Sequence, residues 1–200
     1  QETVRHFFRA GGSSGTIAKA MSAYDKDFSD AIYGVEEDGR YVTESRLKKI
    51  LTHEAGLIEK RLSRKKHPNK IFFSFANTVA TIDFAKQFKG HGWVGIKYQL
   101  EPEEEYNEII LHIRFKETDV RLQQETLGIL GVNLIYGAFY KYNNPKNLLR
   151  YLYDHLDKDQ LEIDTINFSG PRFANVDNRL MSLQLVKNGM TDAVIFDPEG

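Results

Sequence analysis

The chain holds 200 residues, a length that suits one domain or one large lobe and buries roughly 70% of the unfolded surface on folding. Its net charge of −1, with 27 basic against 28 acidic side chains, argues against a nucleic-acid binder held by a basic surface. The absence of cysteine removes disulfides, thiolate metal sites and cysteine nucleophiles, and fits a reducing, cytoplasmic compartment.

Taken in chain order, residues 2–9 read as a short helix, and Gly11-Gly12-Ser13-Ser14-Gly15-Thr16 follows as a breaker cluster. A second helix is expected from near Thr16 towards Tyr24, then a polar loop over residues 35–40. From Thr43 to Arg64 the apolar residues Leu47, Ile50, Leu51, Ala55, Ile58 and Leu62 share one helical face. Thr43 suits its N-cap, and the basic residues from Lys60 onward suit its C-terminal dipole before Pro68 stops it. Ile71 to Thr78 is expected to be a buried strand.

Two runs then alternate with period two. Val94, Ile96, Tyr98 and Leu100 interleave with Gly95, Lys97 and Gln99; Ile109, Leu111, Ile113 and Phe115 interleave with Ile110, His112, Arg114 and Lys116. They predict an antiparallel hairpin with one buried face and an acidic loop over Glu101–Asn107. Its polar face, with Lys97, Gln99, His112, Arg114 and Lys116, is expected to be at least partly open. Asp119 to Tyr142 is apolar all round and predicts a buried helix whose Gly128, Gly131 and Gly137 admit close approach of another backbone. Its fourteen-residue apolar stretch, Leu127–Tyr140, falls short of the about 20 that a membrane span needs, so no membrane partner is expected. Asn144-Pro145 caps a further helix. The last third predicts a strand over Leu161–Phe168, a loop over Ser169–Phe173, a helix over Asp177–Lys187 and a strand over Ala193–Phe196. The expected fold is therefore α/β, with a mixed sheet of about five strands, an antiparallel hairpin plus a C-terminal βαβ unit, packed by several helices. Gln1 at the start and the turn-like Asp197-Pro198-Glu199-Gly200 at the end point to a segment, residues 1–200, of a longer protein.

Three places can carry chemistry. The segment Gly11, Gly12, Ser13, Ser14, Gly15 and Thr16, with Lys19 beyond it, can cradle a phosphate on backbone N–H groups and hydroxyls; it reads equally as a helix–helix connection capped by Ser and Thr. It lacks the spacing of a Walker A loop and the preceding strand of a dinucleotide fingerprint. Strand carboxyl ends in open α/β sheets bind ligands, which nominates Asn77 together with Ser169, Arg172 and Arg179. Either arginine can grip a phosphate or carboxylate with two prongs. Asp177 can order a ligand hydroxyl in a catalytic role or cap its own helix. His91, flanked by Gly90 and Gly92, can titrate near neutral pH and serve as an acid or base if a partner positions it. No His spacing fits a metal site, so no metal ligands are expected. Six basic residues between Lys60 and Lys70 lack interleaved aromatics and read as a solvated helix end.

The motifs Phe8-Arg9-Ala10-Gly11-Gly12, Ser14-Gly15-Thr16-Ile17-Ala18-Lys19, Met21-Ser22-Ala23-Tyr24-Asp25, Ser29-Asp30-Ala31-Ile32-Tyr33-Gly34, His91-Gly92-Trp93, Ser169-Gly170-Pro171 and Asp177-Asn178-Arg179-Leu180-Met181-Ser182-Leu183-Gln184-Leu185 resemble, across nearly the whole chain, a bacterial family. Its members are called nicotinate-nucleotide adenylyltransferase or TonB-dependent receptor. A receptor barrel needs many alternating strands of about 10 residues, which this helical chain does not offer. The first name implies a nucleotide-binding α/β transferase. Gly11-Gly12-Ser13 shares the glycine approach of such enzymes without their His/Thr-x-Gly-His signature. The expectation is binding of a nucleotide or other phosphate-bearing small molecule, extending to nucleotidyl transfer. That reaction would require Mg²⁺ as cofactor. The alternative is a non-catalytic regulatory or assembly module, and homo-oligomerisation is open under either.

Overall fold

The computed structural model describes residues 1–85 and 87–196; the turn expected at 197–200 lies outside them. Four strands form one sheet in the order β1 (Phe73–Ala80), β2 (His91–Tyr98), β3 (Asn107–Phe115) and β4 (Leu161–Ser169). Every neighbouring pair is antiparallel. The alternation read from the sequence holds through the hairpin: Val94, Ile96 and Tyr98 pair across with Leu111, Ile109 and Asn107, on the face that enters the main core.

That core face is covered by α1 (Glu2–Ala10), α4 (Val120–Tyr140), α5 (Pro145–Tyr151) and α6 (Asn178–Lys187). The Asp119 side chain accepts from the amides of Arg121 and Leu122 at 2.9 and 3.0 Å and starts α4. No helix among the described residues is long and apolar enough to cross a membrane. Asn133, the one amide in the apolar run, donates to the carbonyls of Leu152 and Asp154 at 3.0 and 2.7 Å. It thereby satisfies two acceptors just past the end of α5. The close approach expected at the α4 glycines is present. A Cβ on Gly131 would lie 2.2 Å from the Thr3 hydroxyl and 2.8 Å from the Phe75 ring, and one on Gly128 would meet Glu2 at 2.8 Å. Glycine there lets α1 lie directly on α4.

The opposite face carries α3 (Glu44–Arg61), capped by Thr43 as expected, with the Arg46 amide 3.1 Å from its hydroxyl. Leu47 and Leu51 press on Ile110, Ala76 and Trp93, so α3 lies over β1 and β2. Arg46 is 1% exposed. It donates to the Gly34 carbonyl at 2.5 Å and the Ser29 hydroxyl at 2.7 Å, and pairs with Glu36 at 3.1 Å and Asp30 at 3.4 Å. This single guanidinium ties α2 (Lys26–Tyr33) and the following loop to α3.

Three expectations are corrected. Residues 193–196 form no strand, so there is no βαβ unit and the sheet is antiparallel throughout. Instead, Ile163 donates its amide to the Met190 carbonyl at 3.1 Å; the chain leaves α6 beside the edge of β4, satisfies that edge once and departs. The helix expected from Thr16 towards Tyr24 is absent, and α2 starts at Lys26 behind the Asp25 cap. Thr16, Ala18, Lys19, Ala20, Met21 and Tyr24 are exposed, and a short segment with no face to bury cannot offset helix nucleation. Gln99, expected on the open hairpin face, is buried: it accepts from the Phe72 amide at 3.3 Å and donates to the Glu104 carbonyl at 2.7 Å.

Candidate functional site

The α3 helix covers only part of its sheet face. On β3 and β4 this face presents Glu108, Ile110, His112, Arg114, Glu162, Thr165, Asn167 and Ser169, fixed by the cross-strand register. Beyond Ile110, which Leu47 and Leu51 of α3 cover, no helix among the described residues lies across this half. One further carboxylate joins the row. His112 pairs with Thr165 and Ile113 with Ile163, so Asp164 is the extra residue of a β-bulge. A bulge re-aims a side chain that strict alternation would send to the other face. Here the re-aimed residue is Thr165: Asp164 follows Glu162 by two on the polar face, beside His112 and Arg114, and the bulge puts Thr165 there as well.

The result is a continuous hydrogen-bonded chain. Asp164 Oδ1 stands 2.6 Å from His112 Nδ1, and His112 Nε2 stands 2.9 Å from His91 Nδ1. Arg114 donates through Nε to Asp164 Oδ2 at 2.7 Å while its side chain stays 62% exposed. Its terminal amino groups have no hydrogen-bond partner among the described residues. His112 is the buried member, 8% exposed, wedged against Trp93 with ring centres 4.8 Å apart. Phe88 meets His91 edge-on at 5.7 Å and is 45% exposed. His91 and Trp93 lie within β2, not ahead of it. Gly92 between them has no room for a side chain, since a Cβ would fall 2.4 Å from Val79.

Electrostatics follow from this packing. Burial pulls the His91 pKa below its ordinary value, and the neighbouring His112 and Arg114 charges act in the same direction against the opposing pull of Asp164. Burial alone would raise the Asp164 carboxyl, but the hydrogen bonds from His112 and Arg114 outweigh it and hold its pKa below the usual carboxylate value. Asp164 is thus an anion at neutral pH, able to accept from His112 Nδ1–H. No group of three or more metal-ligating side chains occurs among the described residues.

The other candidates from the sequence are dispersed. Antiparallel pairing puts the carboxyl ends of β1 and β4 at opposite ends of the sheet, so the rule for parallel sheets does not unite Asn77 with Ser169. Asn77 faces α1 and α4, in a small cleft with Gln1, Thr3, Tyr24 and Gln124. Ser169 and Arg172 lie at the far end of β4, six residues along β3 from Arg114, or roughly 20 Å at strand rise. There Arg172 binds Glu104 through Nε and Glu101 through Nη2, and its amide donates to Asn107. Asp177 caps α6, accepting from the Arg179 and Leu180 amides at 2.9 and 3.3 Å, and Arg179 is exposed in the first turn. Gly11 and Gly12 end α1, with Ser13, Ser14 and Gly15 in a 3-10 turn whose C-cap is Thr16. The Ser13 hydroxyl donates to the Phe7 carbonyl at 2.6 Å, and Lys19 pairs with Glu54 on α3 at 2.6 Å. Compared with protein-family models, curated proteins and solved structures, the chain matches none.

Proposed function

We propose that the chain binds a nucleotide or another phosphate-bearing small molecule on the open half-face formed by β3 and β4, with His91 facing the ligand. The observation that carries this reading is the Asp164–His112–His91 chain flanked by Arg114. It joins an exposed guanidinium with two terminal amino groups to spare, suited to two phosphate oxygens, to an imidazole with its partner in place. Phe88 and Trp93 supply aromatic surface for a base. Some members of the bacterial family that the chain resembles are called nicotinate-nucleotide adenylyltransferase, which makes a nucleotide the first class to try, and a cytoplasmic setting fits that class. Nucleotidyl transfer would draw on Mg²⁺ bound with the nucleotide, since phosphates themselves supply metal ligands.

A thermal-shift screen with ATP, nicotinate mononucleotide and sugar phosphates tests the reading. A ligand at a hundred times its Kd adds about 2.7 kcal/mol of apparent stability, and Arg114→Ala should cut that gain by about half or more at the same ligand concentration. A flat response to the whole set favours the non-catalytic module.

A further inference from the structure

We propose that Asp164 acts through His112 to hold the His91 imidazole with its proton on Nδ1, leaving Nε2 of His91 as the proton-accepting atom of the open half-face. The inference deepens the ligand reading above and rests on it for the identity of what gives up the proton. The hydrogen-bond chain itself stands on geometry alone.

With Asp164 an anion and His112 neutral, only one proton placement satisfies every link. A carboxylate only accepts, so the 2.6 Å contact requires the proton on His112 Nδ1. A neutral His112 then has a lone pair on Nε2, and the 2.9 Å contact requires His91 Nδ1 to donate. His91 Nε2 is left with its lone pair, and it has no hydrogen-bond partner among the described residues. A histidine side chain free in water prefers its proton on Nε2, so the arrangement is imposed from Asp164, two residues away along the chain of contacts. The groups facing His91 are Phe88 before β2, His112 and Arg114 on β3 and Asp164 on β4; none but Asp164 is an anion, and Arg114 bonds to that same carboxylate.

In operation a ligand hydroxyl or water gives its proton to His91 Nε2, leaving the electron pair on its oxygen. The resulting imidazolium keeps Nδ1–H in its bond to His112 Nε2, and the added positive charge is stabilised along the chain by the Asp164 carboxylate. No bond other than O–H breaks and no oxidant is consumed. Asp164 and His112 are positioning residues; His91 meets the ligand.

Long-range ¹H–¹⁵N spectra of the histidine rings in the free full chain, at neutral pH, read the placement directly. The expected result is a protonated Nδ1 and an unprotonated Nε2 on both His91 and His112. In Asp164→Ala the acceptor is gone, His112 reverts to Nε2–H, its donation to His91 Nδ1 reverses, and His91 becomes Nε2–H as well. An Nε2–H tautomer for His91 in the unaltered protein overturns the proposal without recourse to any variant. A His91 tautomer indifferent to Asp164→Ala, in a variant whose backbone amide spectrum remains dispersed, overturns it too. Because no ligand is present, a failed tautomer test leaves phosphate binding to stand or fall by the thermal-shift screen.

Discussion

One face of the sheet is built in two ways. Directly under α3, on β1 and β2, the residues are small or apolar: Ala76 and Gly95 sit beneath Leu47 and Leu51, and Ser74 turns its hydroxyl to the Leu51 carbonyl at 2.9 Å. Over β3 and β4, among the described residues, α3 reaches only Ile110, and the same face carries His112, Arg114, Asp164, Thr165 and Asn167. The part beneath α3 gains stability by excluding water, and the hydroxyl that Ser74 places there is hydrogen-bonded. The uncovered half pairs its charges laterally, strand to strand, and keeps Arg114 open. Trp93 stands at the boundary, packed on the α3 cluster at one side and on the His112 ring at the other.

Breaking the cover should cost most. Arg46→Ala leaves Asp30 and Glu36 without their buried partner, and should destabilise by about 3–5 kcal/mol, read by denaturant unfolding. The Gly95→Val change should cost about 1–3 kcal/mol through overpacking, because a Cβ there would already lie 3.0 and 3.1 Å from Leu47 and Leu51. On the uncovered half, Arg114→Ala should move stability by no more than about 0.5 kcal/mol, as at ordinary surface sites. It should still weaken phosphate-ligand binding at least tenfold, about 1.4 kcal/mol, in a calorimetric titration. A large unfolding penalty at Arg114 would erase the distinction between the halves.

The smallest effect is in pH. The His91 pKa in the folded chain lies below the ordinary 6.5, so the folded state binds fewer protons than the unfolded one as pH falls through that range. The stability linked to His91 is intact above 6.5 and is lost as pH drops towards and through the folded value. An NMR titration of the His91 ring should give a midpoint under 6.5, whereas a midpoint at or above it contradicts the buried, neutral imidazole.

Much of this architecture is legible in the residues. Thr43, Asp119, Asn144 and Asp177 announce their helices by capping chemistry, and all four accept from the amides that follow. The hairpin alternation gives the correct core face. The failures have local causes. Val194-Ile195-Phe196 has the composition of a strand, but pairing is a tertiary event, and Ile195 is 96% exposed with no strand beside it. Within the candidate site His91 stands out because glycines flank it, whereas Asp164 and His112 do not, since their partnership needs strands far apart in sequence. One signal was present: the apolar positions of β4 run Leu161, Ile163, then Ile166 and Phe168. The step from two to three marks the bulge, which leaves both Asp164 and Thr165 on the polar face.

The claim that the uncovered half is the ligand-binding face is tested most directly by ¹H–¹⁵N chemical-shift mapping of the full chain with ATP, and separately with inorganic phosphate. The account predicts perturbations concentrated at His91–Trp93, His112–Arg114 and Glu162–Thr165, including the Trp93 indole N–H, with α3 residues Glu44–Thr52 unmoved apart from those touching Trp93. Perturbations confined to Gly11–Lys19, or to Ser169–Arg179 around Arg172, would contradict it and place the site elsewhere on the molecule.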